Sequence, residues 1–335
     1  MTLALARDEA DTRQADVFLH AYLEPFLPFL SRPDVTELIV NKPGEVWLEQ
    51  AGSPAMERAD VPQVDDRLVR RLAEQVARIT NQAISREMPL LAATLPGGER
   101  LQVVAPTATR GHWALAIRRH RMVDLPISAW RPRFDQIGAG QECLPAIDRE
   151  ADPIGWLVEQ VRRRRTVLIA GGTSSGKTTF LNSLLAEIDP GERVILVEDT
   201  PEIRLPTPCS LGLVAVSDAL GEARVDTDDL LRASLRLRPD RIVLGELRGR
   251  EAVTFLRAIN TGHPGSLSTI HANTASGALE QLALMTMQAG LGLSRSETLA
   301  YARSVIEIVV QLGRACGRRQ VLDISETADL DLAID

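Results

Sequence analysis

Residues Gly171 to Thr178 read Gly-Gly-Thr-Ser-Ser-Gly-Lys-Thr and match the pattern G-x-x-x-x-G-K-[ST] at every position. In such a loop the glycines let the backbone curl so that successive N–H groups point at an anion, and the following helix adds positive partial charge. The segment therefore predicts a nucleotide-binding loop. Its binding residues are Gly171, Gly172, Thr173, Ser174, Ser175, Gly176, Lys177, Thr178 and Thr179.

Two residues of the loop have further predicted roles. Lys177 would reach the β and γ phosphates of ATP, and the Thr178 hydroxyl would ligate Mg²⁺. Only Lys42 and Lys177 are lysines among the 38 basic residues, so the chain uses arginine almost everywhere else. A compact ammonium suits a phosphate loop better than a broad guanidinium. The alternative is a Gly/Ser-rich turn that matches the pattern by chance.

Two glutamates follow apolar runs that resemble buried strands. Glu198 comes directly after the run at residues 194–197, and Glu246 comes directly after the run at residues 241–245. Because the carboxyl ends of parallel strands face the ligand, both should converge on the phosphate loop. We predict that Glu246 orients or deprotonates the attacking water and that Glu198 ligates Mg²⁺, directly or through water. Alternatively, either glutamate caps a helix or pairs with an arginine such as Arg248 or Arg204.

A short predicted strand at residues 266–270 is bracketed by His263 and His271. His271, at the carboxyl end of that strand, is positioned to sense the γ-phosphate. The alternative is an ordinary structural histidine. A zinc site is disfavoured because neither a cysteine pair nor an H-E-x-x-H pattern accompanies the histidines.

The elements that must position these residues alternate along the second half of the chain. Apolar runs predict strands near 166–170, 193–198, 241–245 and 266–270, and helical spacing predicts helices near 153–164, 177–187, 226–237, 249–261 and 275–290. This alternation predicts an α/β domain with a mostly parallel sheet at residues 151–335. Residues 1–120 read as a smaller α+β domain, and residues 121–150 read as a linker rich in Pro and Gly.

The bulk composition limits the possible functions. The net charge of −7 over 335 residues argues against a protein that holds nucleic acid through a broad cationic surface. Three scattered cysteines fit neither a disulfide framework nor a zinc knuckle, so we expect a reducing cytoplasm. The N-terminus does not read as a signal peptide, and no apolar run approaches the ~18 residues of a membrane span. We therefore expect peripheral membrane contact at most.

Taken as an ordered set, four segments resemble the boxes of the secretion and traffic ATPases. The phosphate loop resembles the Walker A box, residues 197–202 the Asp box, residues 235–249 the Walker B box, and residues 261–273 the His box. Residues 35–47 also resemble the N-terminal domain of the type IV secretion branch. The likeness spans roughly residues 20–325.

This resemblance implies an architecture and two further site residues. It implies a RecA-like P-loop NTPase C-terminal domain with a smaller α+β N-terminal domain, and a homohexamer with ATP bound between the two domains of each subunit. Arg100 and Arg118 match the N-domain arginines that approach the phosphates in that family. The alternative is that they form surface salt bridges, and neighbouring Arg110, Arg119 and Arg121 compete for the assignment.

The resemblance also implies a function. We expect an ATP-hydrolysing motor that powers substrate transport, pilus assembly or both in a conjugation-like type IV secretion system, from the cytoplasmic face of the inner membrane. Its partners would be other secretion-system ATPases, inner-membrane components and a protein or DNA–protein cargo, without strong direct binding of nucleic acid. The alternatives are a pilus extension or retraction motor, a ring that translocates nucleic acid, a non-catalytic nucleotide-gated scaffold, and a small-molecule kinase.

Overall fold

A computed structural model describes residues 18–53, 55–119, 147–216, 225–290, 292–315 and 318–331. The chain forms two compact units: unit 1 comprises Met1–His120 and Pro190–Gly245, and unit 2 comprises Arg121–Asp189 and Glu246–Asp335. The predicted domains, residues 1–120 and 151–335, stay a prediction. Most of the predicted linker at 121–150 lies outside the described residues.

Unit 1 begins with short helical segments that lead into an antiparallel sheet. Helix α1 is described over residues 18–23, a 3-10 turn follows at Glu24–Phe26, and α2 spans Leu27–Leu30. Pro25 and Pro28 lie where these segments change, as expected of a residue that cannot donate a backbone hydrogen bond. The strands are β1 Val35–Val40, β2 Glu45–Gln50, β3 Glu57–Asp60, β4 Leu90–Thr94, β5 Arg100–Val104 and β6 Ala114–Arg118.

Within the described part of unit 1 these strands form one sheet in the order β3-β2-β1-β6-β5-β4, and each neighbouring pair is antiparallel. Helix α3, Asp66–Ile79, buries Leu72 and Val76 in the same core as Leu38 and Leu115 of the sheet. The Asp65 side chain caps the helix by accepting from the Leu68 amide at 2.7 Å. The predicted α+β pattern of this region is confirmed.

The second part of unit 1 contributes parallel strands. These are β8 Val194–Glu198, β9 Leu211–Val214 and the larger part of β10 Arg241–Leu247, with helix α6 at Thr227–Ser234. Strand β8 pairs with β9 on one side and β10 on the other, both in parallel. Every residue of β8 is buried, which explains why the strand reads as a continuous apolar run.

Two fully buried arginines hold this part of unit 1 together. Arg241 makes two hydrogen bonds to the buried Glu192 carboxylate, each of 2.7 Å. Arg193 donates to the Asn41 side chain at 2.9 Å and to the Leu237 carbonyl at 2.8 Å. The bidentate pair of Arg241 with Glu192 is a form in which a buried guanidinium is tolerated, whereas Arg193 Nη2 is buried without a hydrogen-bond partner in the described structure. Through its bond to Arg193, Asn41 ties the end of β1 to the segment that starts β8.

Unit 2 is also α/β. Its helices are α4 Pro153–Arg162, α5 Lys177–Leu185, α7 Glu251–Asn260, α8 Ala275–Gln288 and α9 Arg295–Val305, and its strands are β7 Val167–Gly171, β11 Leu267–Ile270, β12 Ile308–Ala315 and β13 Arg318–Glu326. Strand β7 lies between β11 and β12 and is parallel to both. Strand β13 closes the edge as an antiparallel hairpin with β12. The predicted α/β class with parallel strands is confirmed. None of the helices in the described ranges combines the length and hydrophobicity that crossing a bilayer would require.

Candidate functional site

The phosphate loop lies between a fully buried strand and a helix, as its sequence predicts. Strand β7 ends at Gly171 and α5 begins at Lys177. A Cβ atom at Gly171 would collide with the Ser175 hydroxyl and come within 3.1 Å of the Leu312 carbonyl oxygen, so another residue here would force the loop or β12 to shift. Gly176, with φ of 96°, adopts a left-handed conformation that glycine favours, and this turn bends the chain into the helix.

The loop has the donors that an oxyanion requires. The first amides of α5 have no acceptor inside their own helix, and the helix dipole places positive partial charge there. The Ser175 hydroxyl oxygen is buried and has no hydrogen-bond partner within the described structure. A buried polar atom without a partner is unfavourable, so its presence inside the loop supports a polar ligand. The residues of the loop therefore fit a bound phosphate.

Lys177 extends over the loop rather than into solvent. Its Nζ donates to the carbonyl oxygens of Gly171 at 2.9 Å and Gly172 at 3.3 Å, and its side chain is only 9% exposed. Burial lowers the pKa of the Lys177 amine, and the nearby Glu246 carboxylate opposes that shift. The ammonium is therefore held beside the curled backbone, where a phosphate oxygen would meet it.

Glu246 and His271 meet Lys177 inside unit 2. The Glu246 Oε1 atom lies 2.9 Å from His271 Nε2 and 3.7 Å from Lys177 Nζ. Glu246 follows the apolar part of β10, and His271 follows β11, so both side chains start from the carboxyl ends of strands. The structure thus brings together three residues that the sequence places in different motifs. His271 is half exposed, at 49% of its side chain, and remains accessible to a ligand.

Arg248 completes this cluster. Its Nε donates to Glu246 Oε2 at 2.7 Å, so the two carboxylate oxygens of Glu246 face different cationic or polar partners. Sequence reasoning named Arg248 only as an alternative partner for the glutamate. The spacing in the sequence is the signal for this contact, because a residue two positions beyond a strand-end glutamate can turn back onto it. Lys177, Glu246, His271 and Arg248 are called the strand-end cluster below.

Glu198 lies in unit 1 and has other partners. Its carboxylate is 3% exposed and accepts from the backbone amides of Glu202 at 3.0 Å and Ile203 at 2.8 Å. Its second oxygen forms an ion pair with Arg110. The predicted arginine pairing therefore exists, although its partner is Arg110 and not Arg204. The proposed magnesium role of Glu198 stays a prediction.

The two N-terminal arginines are neighbours. Arg100 on β5 and Arg118 on β6 are cross-strand partners, and both side chains are exposed. Like charges opposite one another destabilise a sheet slightly, and Arg118 relieves part of this by lying 3.4 Å from the buried Glu37 carboxylate. In the sequence, Arg110 is one of the neighbouring arginines that compete for this assignment. Its contact with Glu198 makes Arg110 an additional candidate, and its place on a loop gave no periodic signal.

Glu37 behaves unusually for a carboxyl group. Burial and then the neighbouring Glu49 raise the pKa of Glu37 to about 7, while Arg118, Arg238 and Arg193 oppose the shift. A raised pKa means that the folded protein holds this proton more tightly than the unfolded chain. The stability that Glu37 contributes is therefore complete below its ordinary pKa of 4.5 and is lost as the pH rises through about 7.

Replacing Glu37 by glutamine should remove this pH dependence. We expect the free energy of unfolding of the wild type to fall by about 2 to 3 kcal/mol relative to Glu37→Gln between pH 4.5 and 8. Urea unfolding of both proteins across that range measures the difference. Because every other titrating group is shared by the two proteins, parallel curves would contradict the buried, protonated state of Glu37.

Within the described ranges no group of three or more His, Cys, Asp or Glu side chains could hold a metal ion. Magnesium in nucleotide sites commonly uses one or two protein oxygens together with phosphate and water. Thr178, in the first turn of α5, offers a hydroxyl of that kind.

The chain is similar to known proteins over nearly its whole length. Residues 21–330 match the family described as Type II/IV secretion system protein. The chain is 40% identical over 332 residues to the type IV secretion system protein PtlH of Bordetella pertussis, covering 95% of this chain and 97% of that protein. It is 34% identical over 325 residues to the type IV secretion system protein VirB11 of Bartonella quintana, covering 90% and 91%.

A solved structure is similar as well. The crystal structure of the VirB11 ATPase from the Brucella suis type IV secretion system, in complex with sulphate, superposes with a TM-score of 0.84 at 32% identity. The match covers 96% of this chain and 97% of that one. This similarity confirms the predicted fold class, an α/β ATPase fold with a smaller N-terminal region.

Proposed function

Because the chain belongs to the Type II/IV secretion system protein family, we propose that it is an ATP-hydrolysing motor that powers transport in a type IV secretion system. The observation that carries this proposal is the strand-end cluster at the phosphate loop. Lys177, Glu246 and His271 come from separate motifs and meet within hydrogen-bond or ion-pair distance. A cation and a carboxylate beside an anion-binding loop are groups that phosphoryl transfer to water needs, and His271 adds a polar contact to the carboxylate.

Each group of the site has a distinct part in the proposed reaction. The backbone amides from Gly171 to Thr179 bind the phosphates, and the Lys177 ammonium neutralises charge on the β and γ phosphates. The Thr178 hydroxyl would hold Mg²⁺, with Glu198 as a further proposed ligand through water, and the ion would neutralise phosphate charge.

Glu246 is the proposed water-orienting base. Its carboxylate can accept a hydrogen bond from the attacking water and then the proton that the water loses. Arg248 and His271 hold the two oxygens in place, which fixes the direction in which the carboxylate can accept. His271 is also the proposed sensor of the γ-phosphate, since a change at the phosphate would alter its contact with Glu246.

Our proposal for the larger assembly is supported by the resemblance to the family and not by single contacts. We propose a homohexamer in which residues 1–120 and 151–335 act as domains that move against each other on nucleotide binding. Arg100 and Arg118 would approach the phosphates, where an arginine can be worth about 10³ to 10⁵ in rate. The motor would act at the cytoplasmic face of the inner membrane, with other secretion ATPases and membrane components, on a protein or DNA–protein cargo.

Turnover and assembly can be measured together. We expect the purified chain to hydrolyse ATP, and light scattering with a non-hydrolysable ATP analogue to show a particle of about six times the monomer mass. Lys177→Ala should not respond to the analogue. A wild-type chain that binds no adenine nucleotide would refute the ATPase proposal. A stable monomer under every condition would refute the hexamer alone.

A further inference from the structure

The hairpin of β12 and β13 reaches the phosphate loop. Strand β12 runs parallel to β7, and Leu312 is in register with Gly171, the last residue of β7. The following residues of β12 therefore continue alongside the loop. Arg314 Nη2 lies 3.4 Å from the carbonyl oxygen of Ser174 within the loop. The end of β12 thus brings a guanidinium to the rim of the predicted phosphate site.

The other strand of the hairpin brings a second arginine to the same place. Arg319 is the cross-strand partner of Arg314. The Cδ atom of Arg319 lies 3.1 Å from the position that a Cβ atom would take at Gly176. The aliphatic stem of Arg319 therefore crosses Gly176 directly before α5 begins. A side chain at position 176 would crowd this stem in addition to straining the backbone at φ of 96°.

This pair of arginines is unfavourable by itself. Residues directly opposite one another in an antiparallel pair project from the same face with their Cβ atoms about 5 Å apart, and like charges there destabilise the sheet. Both side chains are exposed, and neither forms an ion pair with a carboxylate in the described structure. An anion bound beside the loop would attract both guanidinium groups and so offset the repulsion between them. The Arg314 guanidinium at Ser174 and the Arg319 stem at Gly176 indicate where that anion lies.

We propose that Arg314 and Arg319 bind the diphosphate portion that ADP and ATP share, which deepens the proposed function and rests on it. The strand-end cluster lies at the Lys177 amine, the group expected to reach the β and γ phosphates. Arg319 instead crosses the backbone at the start of α5, where amides cradle the α and β phosphates. The planar fork of a guanidinium suits two phosphate oxygens at once. These arginines therefore contribute to holding nucleotide, whereas Glu246 contributes to its hydrolysis.

Calorimetric titration with ADP tests this assignment. We expect Arg319→Gln to weaken ADP binding by about tenfold and the Arg314→Gln, Arg319→Gln double variant by about a hundredfold, since each loses one charge-assisted contact. The KM for ATP should rise by a similar factor, while kcat at saturating ATP changes less than about threefold. Arg319→Lys, which keeps the charge and loses the fork, should fall between wild type and Arg319→Gln.

The matched control is Arg318→Gln. Arg318 is the neighbouring residue on the same strand, is also exposed, and projects from the opposite face because side chains alternate along a strand. Its loss should leave ADP binding within about twofold of wild type. A double variant that binds ADP as tightly as wild type, while Lys177→Ala does not bind, would overturn this inference and leave the ATPase intact. A wild type that binds no ADP would overturn both.

Discussion

Replacing Lys177 by alanine is expected to lower kcat/KM for ATP by about 10³-fold or more. The reason is electrostatic: a unit charge about 4 Å from a phosphate is worth about 4 kcal/mol at an effective dielectric constant near 20, which is a factor of about 10³ in rate. The Gly171 and Gly172 carbonyls that hold the amine would remain, but they are acceptors and cannot neutralise a phosphate. Steady-state hydrolysis and titration with a non-hydrolysable analogue would measure the loss.

The chain provides its own control for this experiment. Lys42 is the other lysine of the sequence, lies in the turn between β1 and β2, and is itself exposed while it pairs with the buried Glu45 carboxylate at 3.5 Å. Lys42→Ala removes the same side chain and the same charge, and it should keep wild-type turnover. Thermal unfolding measures separately whether Lys177→Ala remains folded, because the Lys177 side chain is buried and its truncation also removes packing. Equal losses in both variants would argue that the effect is not specific to the loop.

Local sequence patterns predicted the elements that carry the site. Strands β7 and β8 and the centre of β10 are apolar runs because parallel strands are covered on both faces, and β11 is equally buried although it contains Ser268 and Thr269. The short edge strand β3, Glu57–Asp60, was missed because it is composed mostly of charged residues and alternates between half-buried and exposed positions. The four-residue strand β9, Leu211–Val214, was missed because Gly212 interrupts its short apolar run, and glycine weakens a strand pattern.

Contacts between distant segments could not be predicted in the same way. The motifs placed Lys177, Glu246 and His271 at strand ends, and parallel pairing then brings such ends to one edge. The ion pair of Arg110 with Glu198 joins residues 88 positions apart through an irregular loop. The approach of Arg319 to Gly176 depends on the register of the β12–β13 hairpin, which a shift of one residue would reverse. Neither contact has a spacing rule in the sequence.

Because Glu246 is proposed to act in hydrolysis and not in nucleotide binding, replacing it tests whether the two steps use different residues. We expect Glu246→Gln to lower kcat by about 10² to 10⁴-fold, the range associated with loss of a positioned base. Glutamine keeps the shape and one oxygen acceptor, so Arg248 can still donate to it, but the amide cannot take a proton from water. Nucleotide affinity should be retained, because the substitution removes a negative charge 3.7 Å from Lys177 Nζ. Single-turnover hydrolysis and titration with ADP separate the two effects.

Glu198→Gln is the comparison that decides between the two glutamates. The Glu198 carboxylate already accepts from the Glu202 and Ile203 amides and pairs with Arg110. Its neutralisation should therefore lower the free energy of unfolding by about 1 to 3 kcal/mol through the loss of charge-assisted bonds. It should also reduce kcat less than Glu246→Gln does. If Glu246→Gln kept wild-type turnover while Glu198→Gln lost it, the water-orienting role would belong to Glu198, and the strand-end cluster would serve only to bind nucleotide.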